Sequence, residues 1–298
     1  MNISLYPPLS IHEIGLRDNQ EDALAQWNNR LFVLCDGMGG HEKGEVASQT
    51  VCQSFVRWFE EHVNSDEIFN DSQLLKALEY AYQQLDKYAD GNPRQMGTTL
   101  TLLYLHSQGA TAMHMGDSRI YHIRPTEGLK YQSRDHSLAF DLFQAGEITY
   151  EEMLIYPKKN IVSRAMTPGE DKRIRPDIIH ISDIQPNDWF FLCSDGMMEK
   201  FDNRNLKVFF NLEMEDEEKM LQIKKATSQN LDNHTAWLVH IKDVIKEDTD
   251  NKLINEESTA RCNALNILPQ IQSETGDVVI VQETRNSLFC KIKNALHI

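Results

Sequence analysis

The chain has 298 residues, 41% of them hydrophobic, and a formal charge of −15. That apolar content supplies one sizeable core and argues against disorder, while the surplus of carboxylates argues against nucleic-acid backbones and anionic membrane surfaces as partners. No apolar run approaches the roughly 18 residues of a membrane span, and MNISLYPPLS lacks the basic and apolar regions of a secretory signal, so a cytoplasmic monomer is expected. Five cysteines (35, 52, 193, 262 and 290) form no CxxC pair or zinc spacing, and the 11 histidines contain no HExxH. Cys35 and Cys193 sit inside apolar runs and read as small buried residues.

Residues 45–63 carry Val51, Phe55, Trp58, Phe59 and Val63 at three- and four-residue steps, a helical stripe. A second helix is expected over 72–89, capped by Asp71, with Leu74, Leu78, Tyr82 and Leu85 on its apolar face and Gly91-Asn92 as its stop. Between 97 and 124 the segments TTLTLLYLH, GATAMHM and RIYHIR, broken by SQG and GDS, read as antiparallel strands. Residues 137–160 mix charge and aromatics around Pro157 and read as a surface flap. Helices follow near 203–211 and from the acidic start at 215–218, and DNHTAWLVHI reads as a loop entering a strand. From about 247 the polar run EDTDNKLINEES suggests a linker to a C-terminal extension (246–298). In that extension a short helix is expected at 257–266, followed by the apolar run DVVIVQE at 277–283. The alternation of strands and helices would also permit a parallel α/β fold.

Three apolar runs each end in a lone aspartate followed by glycine or serine: LFVLCDGMGG (31–40), TAMHMGDSRIY (111–121) and WFFLCSDGM (189–197). RDNQED (17–22) and DNHTA (232–236) add further acidic residues. A strand ending in Asp-Gly presents a carboxylate at a sheet edge, and the glycine leaves its carbonyl accessible. Carboxylates gathered in this way repel each other and stay charged only beside cations. An oxygen-only ligand set suits hard cations, Mg²⁺ or Mn²⁺, over Zn²⁺.

The ordered series RDNQED, CDGMGGHEKGEVAS, MGTTLT, GDSRIYHIR, RDHSL, NIVSRAM, LCSDGM and DNHTA resembles the metal-dependent protein phosphatases. That family (PPM) contains the type 2C serine/threonine phosphatases, and the chain is most similar to its bacterial branch over about residues 10–242. The resemblance implies an α+β fold, a four-layer α-β-β-α sandwich of two antiparallel sheets flanked by helix pairs, with a catalytic domain over 1–245. It implies hydrolysis of phosphoserine and phosphothreonine on proteins that are substrates of a Ser/Thr kinase. The reaction it implies is direct attack of a hydroxide bridging two Mn²⁺ or Mg²⁺ ions about 4 Å apart.

Residue by residue, the family's pattern falls on Glu21 and Asp36 as ligands, with Asp36 bridging and Gly37 offering its carbonyl. Asp195 and Asp232 fall on the ligands of the opposite metal. Asp117 with Asp195 matches a third, weaker site of bacterial members. Asp22 touches a metal through water or supports Glu21. Arg17 matches the phosphate-binding arginine, whose planar guanidinium holds two phosphoryl oxygens at once. Thr98 and Thr99 read as buttresses of the sheet. Met38 stands where many animal members carry histidine, a proposed acid for the leaving group, and His41 reads as structural. Gln20 and Tyr156 depart from the usual Asn and His. A different reading of the same residues is a pseudophosphatase that binds phosphoproteins without turnover, and a third is a hydrolase of small phosphoesters or nucleotides.

Overall fold

In a computed structural model the described residues are 1–39, 43–63, 69–89, 96–158, 161–170, 172–201 and 203–245. His41, the Gly91-Asn92 stop, the 257–266 helix, DVVIVQE, Cys262 and Cys290 lie outside them. Residues 1–247 form one unit. Among the described residues no helix is long and apolar enough to cross a membrane.

The chain opens with strands β1 (Asn2–Leu5), β2 (Leu9–Glu13), β3 (Asp22–Trp27) and β4 (Leu31–Met38), followed by helices α1 (Lys43–His62) and α2 (Asp71–Leu85). Strands β5 (Gly97–Thr98), β6 (Leu100–His106), β7 (Gly109–Met115), β8 (Arg119–Arg124) and β9 (Gly128–Gln132) come next. Two short helices, α3 (Leu138–Gln144) and α4 (Tyr150–Leu154), precede β10 (Asp177–Ile181) and β11 (Trp189–Cys193). Helices α5 (Asn203–Phe210) and α6 (Asp216–Thr227) and strand β12 (His234–Ile245) complete it. One sheet runs β1-β12-β11-β8-β9 with β2 also on β12; the other runs β10-β7-β6-β4-β3 with β5 on β4. All of the strand pairings are antiparallel, so the parallel alternative falls away.

Three cores separate four layers, and the period-two alternation of strand side chains builds them. Leu31, Val33 and Cys35 of β4 pack under α1 and α2 with Val51, Phe55 and Phe59, whereas Phe32 and Leu34 point the other way, between the sheets. In β11, Phe190 and Leu192 meet them there, and Trp189, Phe191 and Cys193 pack under α5 and α6. Both faces of these strands are buried, so LFVLC and WFFLC are apolar without a break. The α-β-β-α sandwich expected from the family resemblance is the fold. Cys35, Cys52 and Cys193 are free and buried, as expected for the two inside apolar runs.

Local chemistry accounts for the departures. Helix α2 is capped by Asn70, not Asp71. The Asn70 side chain accepts from the Gln73 N–H while the Gln73 side chain accepts from the Asn70 N–H, a reciprocal box that Asp71, one residue on, lacks the spacing to form. The helix ends at Leu85 in a 3₁₀ turn, Asp86–Tyr88. The irregular stretch after residue 137 holds two short helices, N-capped by Ser137 and by Thr149 with Glu152.

Phe190→Ala, which empties a fully buried inter-sheet position, is expected to cost about 3–5 kcal/mol in chemical denaturation. Leu221→Ala on the 62% exposed side of α6 should stay within about 0.5 kcal/mol.

Candidate metal centre

Strand β4 carries Asp36 to the mouth of the sandwich, and its neighbours lock the backbone there. The Asp36 N–H donates to Thr99 Oγ1 at 2.9 Å, and the Asp36 carbonyl accepts from Thr98 Oγ1 at 3.0 Å and from the Thr99 N–H at 2.9 Å. The two threonines thus grip the aspartate as well as buttressing the sheet. Gly37 donates its N–H to the Glu21 carbonyl at 3.0 Å. A Cβ on Gly37 would stand 2.1 Å from the Gly44 carbonyl oxygen and 2.6 Å from that of Glu21, so only glycine lets the two segments close.

Glu21 is held from three sides: its carbonyl also accepts from Ser48 Oγ at 2.5 Å, and its N–H donates to Asn233 Oδ1 at 2.8 Å. The Asn233 amide nitrogen donates onward to the carbonyls of Ile14 and Asn19. Sequence reading passed over Asn233, whose only signal was its place beside Asp232 in DNHTA. Asp195 follows β11 directly, where Ser194 donates its N–H to the Thr235 carbonyl at 3.0 Å. Asp232 donates its N–H to Glu199 at 3.0 Å, and its carboxylate pairs with Arg17 Nη2 at 2.7 Å. Arg17, 56% exposed, therefore stands at the rim with one nitrogen engaged.

The structure brings Arg17, Glu21, Asp36, Gly37, Asp117, Asp195 and Asp232 around one cavity of about 390 Å³, together with Met38, Thr99 and Val162. Asp22 does not border it. Asp22 pairs with Asp36 across β3 and β4 and is 2% exposed; its Oδ2 accepts from Ser194 Oγ at 2.8 Å and its Oδ1 has no partner.

Electrostatics follow from burial plus mutual repulsion. Burial, then Asp22, Asp195, Asp117 and Asp232, pushes the Asp36 carboxyl well above the usual range. Burial and Asp195 push Asp117 up to about 8, and burial and Asp232 push Asp195 up to about 6. Burial raises Asp22 to about 7, and burial raises Glu21 against the pull of Arg17. Arg17 is the one cationic side chain lining the cavity among the described residues, facing Glu21, Asp36, Asp117, Asp195 and Asp232. This oxygen-rich, cation-poor ring, with a buried carboxylate oxygen left unpaired behind it, fits hard divalent cations.

The sequence profile of the protein phosphatase 2C family matches residues 17–241. The protein phosphatase PhpP of Streptococcus pneumoniae is 31% identical over 235 residues, 76% of this chain and 94% of that protein. The crystal structure of the serine/threonine phosphatase Stp1 from Staphylococcus aureus superposes with a TM-score of 0.69 at 29% identity, covering 81% of this chain and 98% of that one. The catalytic domain of the serine/threonine protein phosphatase PstP, in complex with two manganese ions, gives 0.65 at 27% identity over 79% and 98% of the two chains. The chain belongs to the protein phosphatase 2C family, the PPM class of metal-dependent protein serine/threonine phosphatases.

The raised carboxyls carry a stability signature. Their folded pKa values, about 6 to 8, exceed the unfolded value near 3.8, so between those limits the folded state binds more protons. The contribution of these groups is complete below about pH 4 and is lost as pH rises toward 8. The Tm of the metal-free protein is expected to fall from pH 5 to pH 8, Mn²⁺ to reverse the fall, and Asp117→Asn to flatten it. A pH series of thermal melts checks this.

Proposed function

We propose that the chain hydrolyses phosphoserine and phosphothreonine on proteins, using divalent cations held by Glu21, Asp36, the Gly37 carbonyl, Asp195 and Asp232. A weaker cation would sit at Asp117 and Asp195. The observation that carries this is the ring of five carboxylates with a single rim arginine, whose charge is balanced only when cations enter. Mn²⁺ or Mg²⁺ bound there supplies a nucleophilic water at neutral pH and neutralises phosphoryl oxygens. Everything else falls to the protein's own groups. Arg17 turns its guanidinium from Asp232 to the phosphoryl group, where two N–H donors fix the orientation for in-line displacement. Thr98, Thr99 and Asn233 hold Asp36 and Glu21 still, so no reorganisation accompanies the developing charge.

No protein nucleophile is needed. Burial raises the Cys35 thiol well above its ordinary range and the Cys193 thiol to about 12, which leaves both unreactive. Met38 borders the cavity and has no proton to give, so it does not serve as the acid for the departing seryl or threonyl oxygen. Phosphoproteins are the proposed partners. The proposed catalytic unit is 1–245, with 246–298 outside this chemistry.

The full chain with Mn²⁺ is expected to release phosphate from a phosphothreonine peptide, to stop with EDTA, and to lose nearly all turnover in Asp36→Asn. Arg17→Ala should lower kcat/KM by about 10- to 1000-fold, the loss of a charge-assisted contact, while calorimetric Mn²⁺ affinity stays unchanged. Peptide binding without phosphate release by the wild type would establish the pseudophosphatase reading instead. A preference for nucleotides over phosphopeptides would move the substrate to small phosphoesters.

A further inference from the structure

The turn that presents Asp117 is gripped from behind by groups with no part in the chemistry above. Gly116 sits at φ +110°, and a Cβ there would come within 2.5 Å of the Thr99 side chain, so the residue before Asp117 has no side chain to anchor it. Two histidines hold its peptide groups instead. The Gly116 N–H donates to His136 Nδ1 at 3.2 Å. The Gly116 carbonyl accepts from His114 Nε2 at 3.0 Å and from the His136 backbone N–H at 2.8 Å. Both imidazoles are buried, at 1% and 2% exposed, with ring centroids 4.5 Å apart.

These contacts fix the tautomer of His136. Its Nδ1 faces a backbone N–H and must offer a lone pair, so the proton of the neutral ring lies on Nε2, 3.1 Å from Asp177 Oδ2. The other tautomer would set two donors against each other at Gly116 and a lone pair against the carboxylate. Arg164 Nη1 donates to the second Asp177 oxygen at 3.2 Å and also stands 3.4 Å from His136 Nε2, a longer contact that the Gly116 N–H at Nδ1 and the 3.1 Å Nε2–Asp177 bond together outweigh. Burial keeps the His136 pKa below its ordinary value, against the pull of Asp177.

His114, His136 and Asp177 also bring one ligand-type atom each within 4.8 Å of one another, and His114 Nδ1 is a buried nitrogen without a partner. A cation does not fit. His136 would have to release its Nε2 proton while Nδ1 still faces an N–H, which leaves an imidazolate, and Arg164 already sets a positive charge on the same carboxylate.

We propose that Asp177 and His136 are positioning residues for Asp117: the carboxylate orients the imidazole, the imidazole grips Gly116, and the grip sets where the Asp117 carboxylate meets the cavity. The assignment of an effect on cation binding rests on Asp117 being a ligand. Asp177 sits on β10 with a side chain 45% exposed, directly across from His114 on β7, so its truncation leaves no buried void.

The test uses Asp177→Ala, Asp177→Asn and Asp117→Asn in the full chain. Two readouts are taken: hydrogen exchange of the metal-free protein over residues 113–118 and 136–140, and Mn²⁺ binding by calorimetry without substrate. Asp177→Ala should speed exchange in both segments and weaken the loosest Mn²⁺ site about tenfold, within the range for outer partners of metal ligands. Asp177→Asn, which still offers His136 an acceptor oxygen, should restore both. Faster exchange confined to β10, or unchanged exchange with unchanged Mn²⁺ affinity, overturns the proposal. If exchange rises in both segments while neither Asp177→Ala nor Asp117→Asn alters Mn²⁺ binding, the grip on Gly116 stands and the ligand reading of Asp117 falls.

Discussion

Among the described residues, five carboxylates surround one cavity against a single arginine, and their mutual repulsion is the constraint that the surrounding structure has to withstand. A flexible loop would relieve such repulsion by moving apart. Here the backbone leaves little room to move. Asp36 is pinned on both sides by Thr98 and Thr99, Glu21 by Gly37, Ser48 and Asn233, and Asp232 by Glu199. For Asp36 and Glu21 these are hydrogen bonds to neutral backbone, hydroxyl and amide groups, which fix position without cancelling charge; Asp232 is held by the Glu199 carboxylate at its N–H and by Arg17 at its side chain. The charge remains for cations to balance, and preorganised ligands lose little entropy when they bind.

The sandwich serves this arrangement by bringing distant segments to one end. Asp36 and Asp195 lie at the ends of β4 and β11, which belong to different sheets, and the inter-sheet core of Phe32, Leu34, Phe190 and Leu192 sets the distance between them. Packing faults in that core would therefore reach the site through strand separation. The outer helices carry less of the geometry, except that on α1 Ser48 reaches the Glu21 carbonyl and Gly44 packs against Gly37.

Much of the site was legible in the sequence because its residues occur in ordered motifs; an Asp-Gly pair taken alone reads as an ordinary turn. The unbroken runs LFVLC and WFFLC announced strands buried on both faces. The supporting groups were harder to read. Thr98, Thr99 and Asn233 lie inside the motifs MGTTLT and DNHTA, but their hydrogen bonds reach residues far away in the chain, and a single sequence does not show those partners. Asp71 and Asn70 are both good capping residues, and only the spacing to Gln73 separates them. Strands β1 (NISL) and β2 (LSIHE) do alternate polar and apolar residues, but four or five residues on either side of Pro7 and Pro8 are too few to tell a strand from a loop, and their partner β12 comes from the other end of the chain. The helices α3 and α4 are too short for a stripe to emerge.

The account stands on cations occupying the carboxylate ring. Crystals of the full chain grown with Mn²⁺ and measured at the manganese absorption edge would locate them directly. Anomalous peaks are expected inside this cavity, where Glu21, Asp36, the Gly37 carbonyl, Asp195 and Asp232 would hold the ions. Anomalous density absent from this cavity, or present at His114, His136 and Asp177 instead, would contradict it.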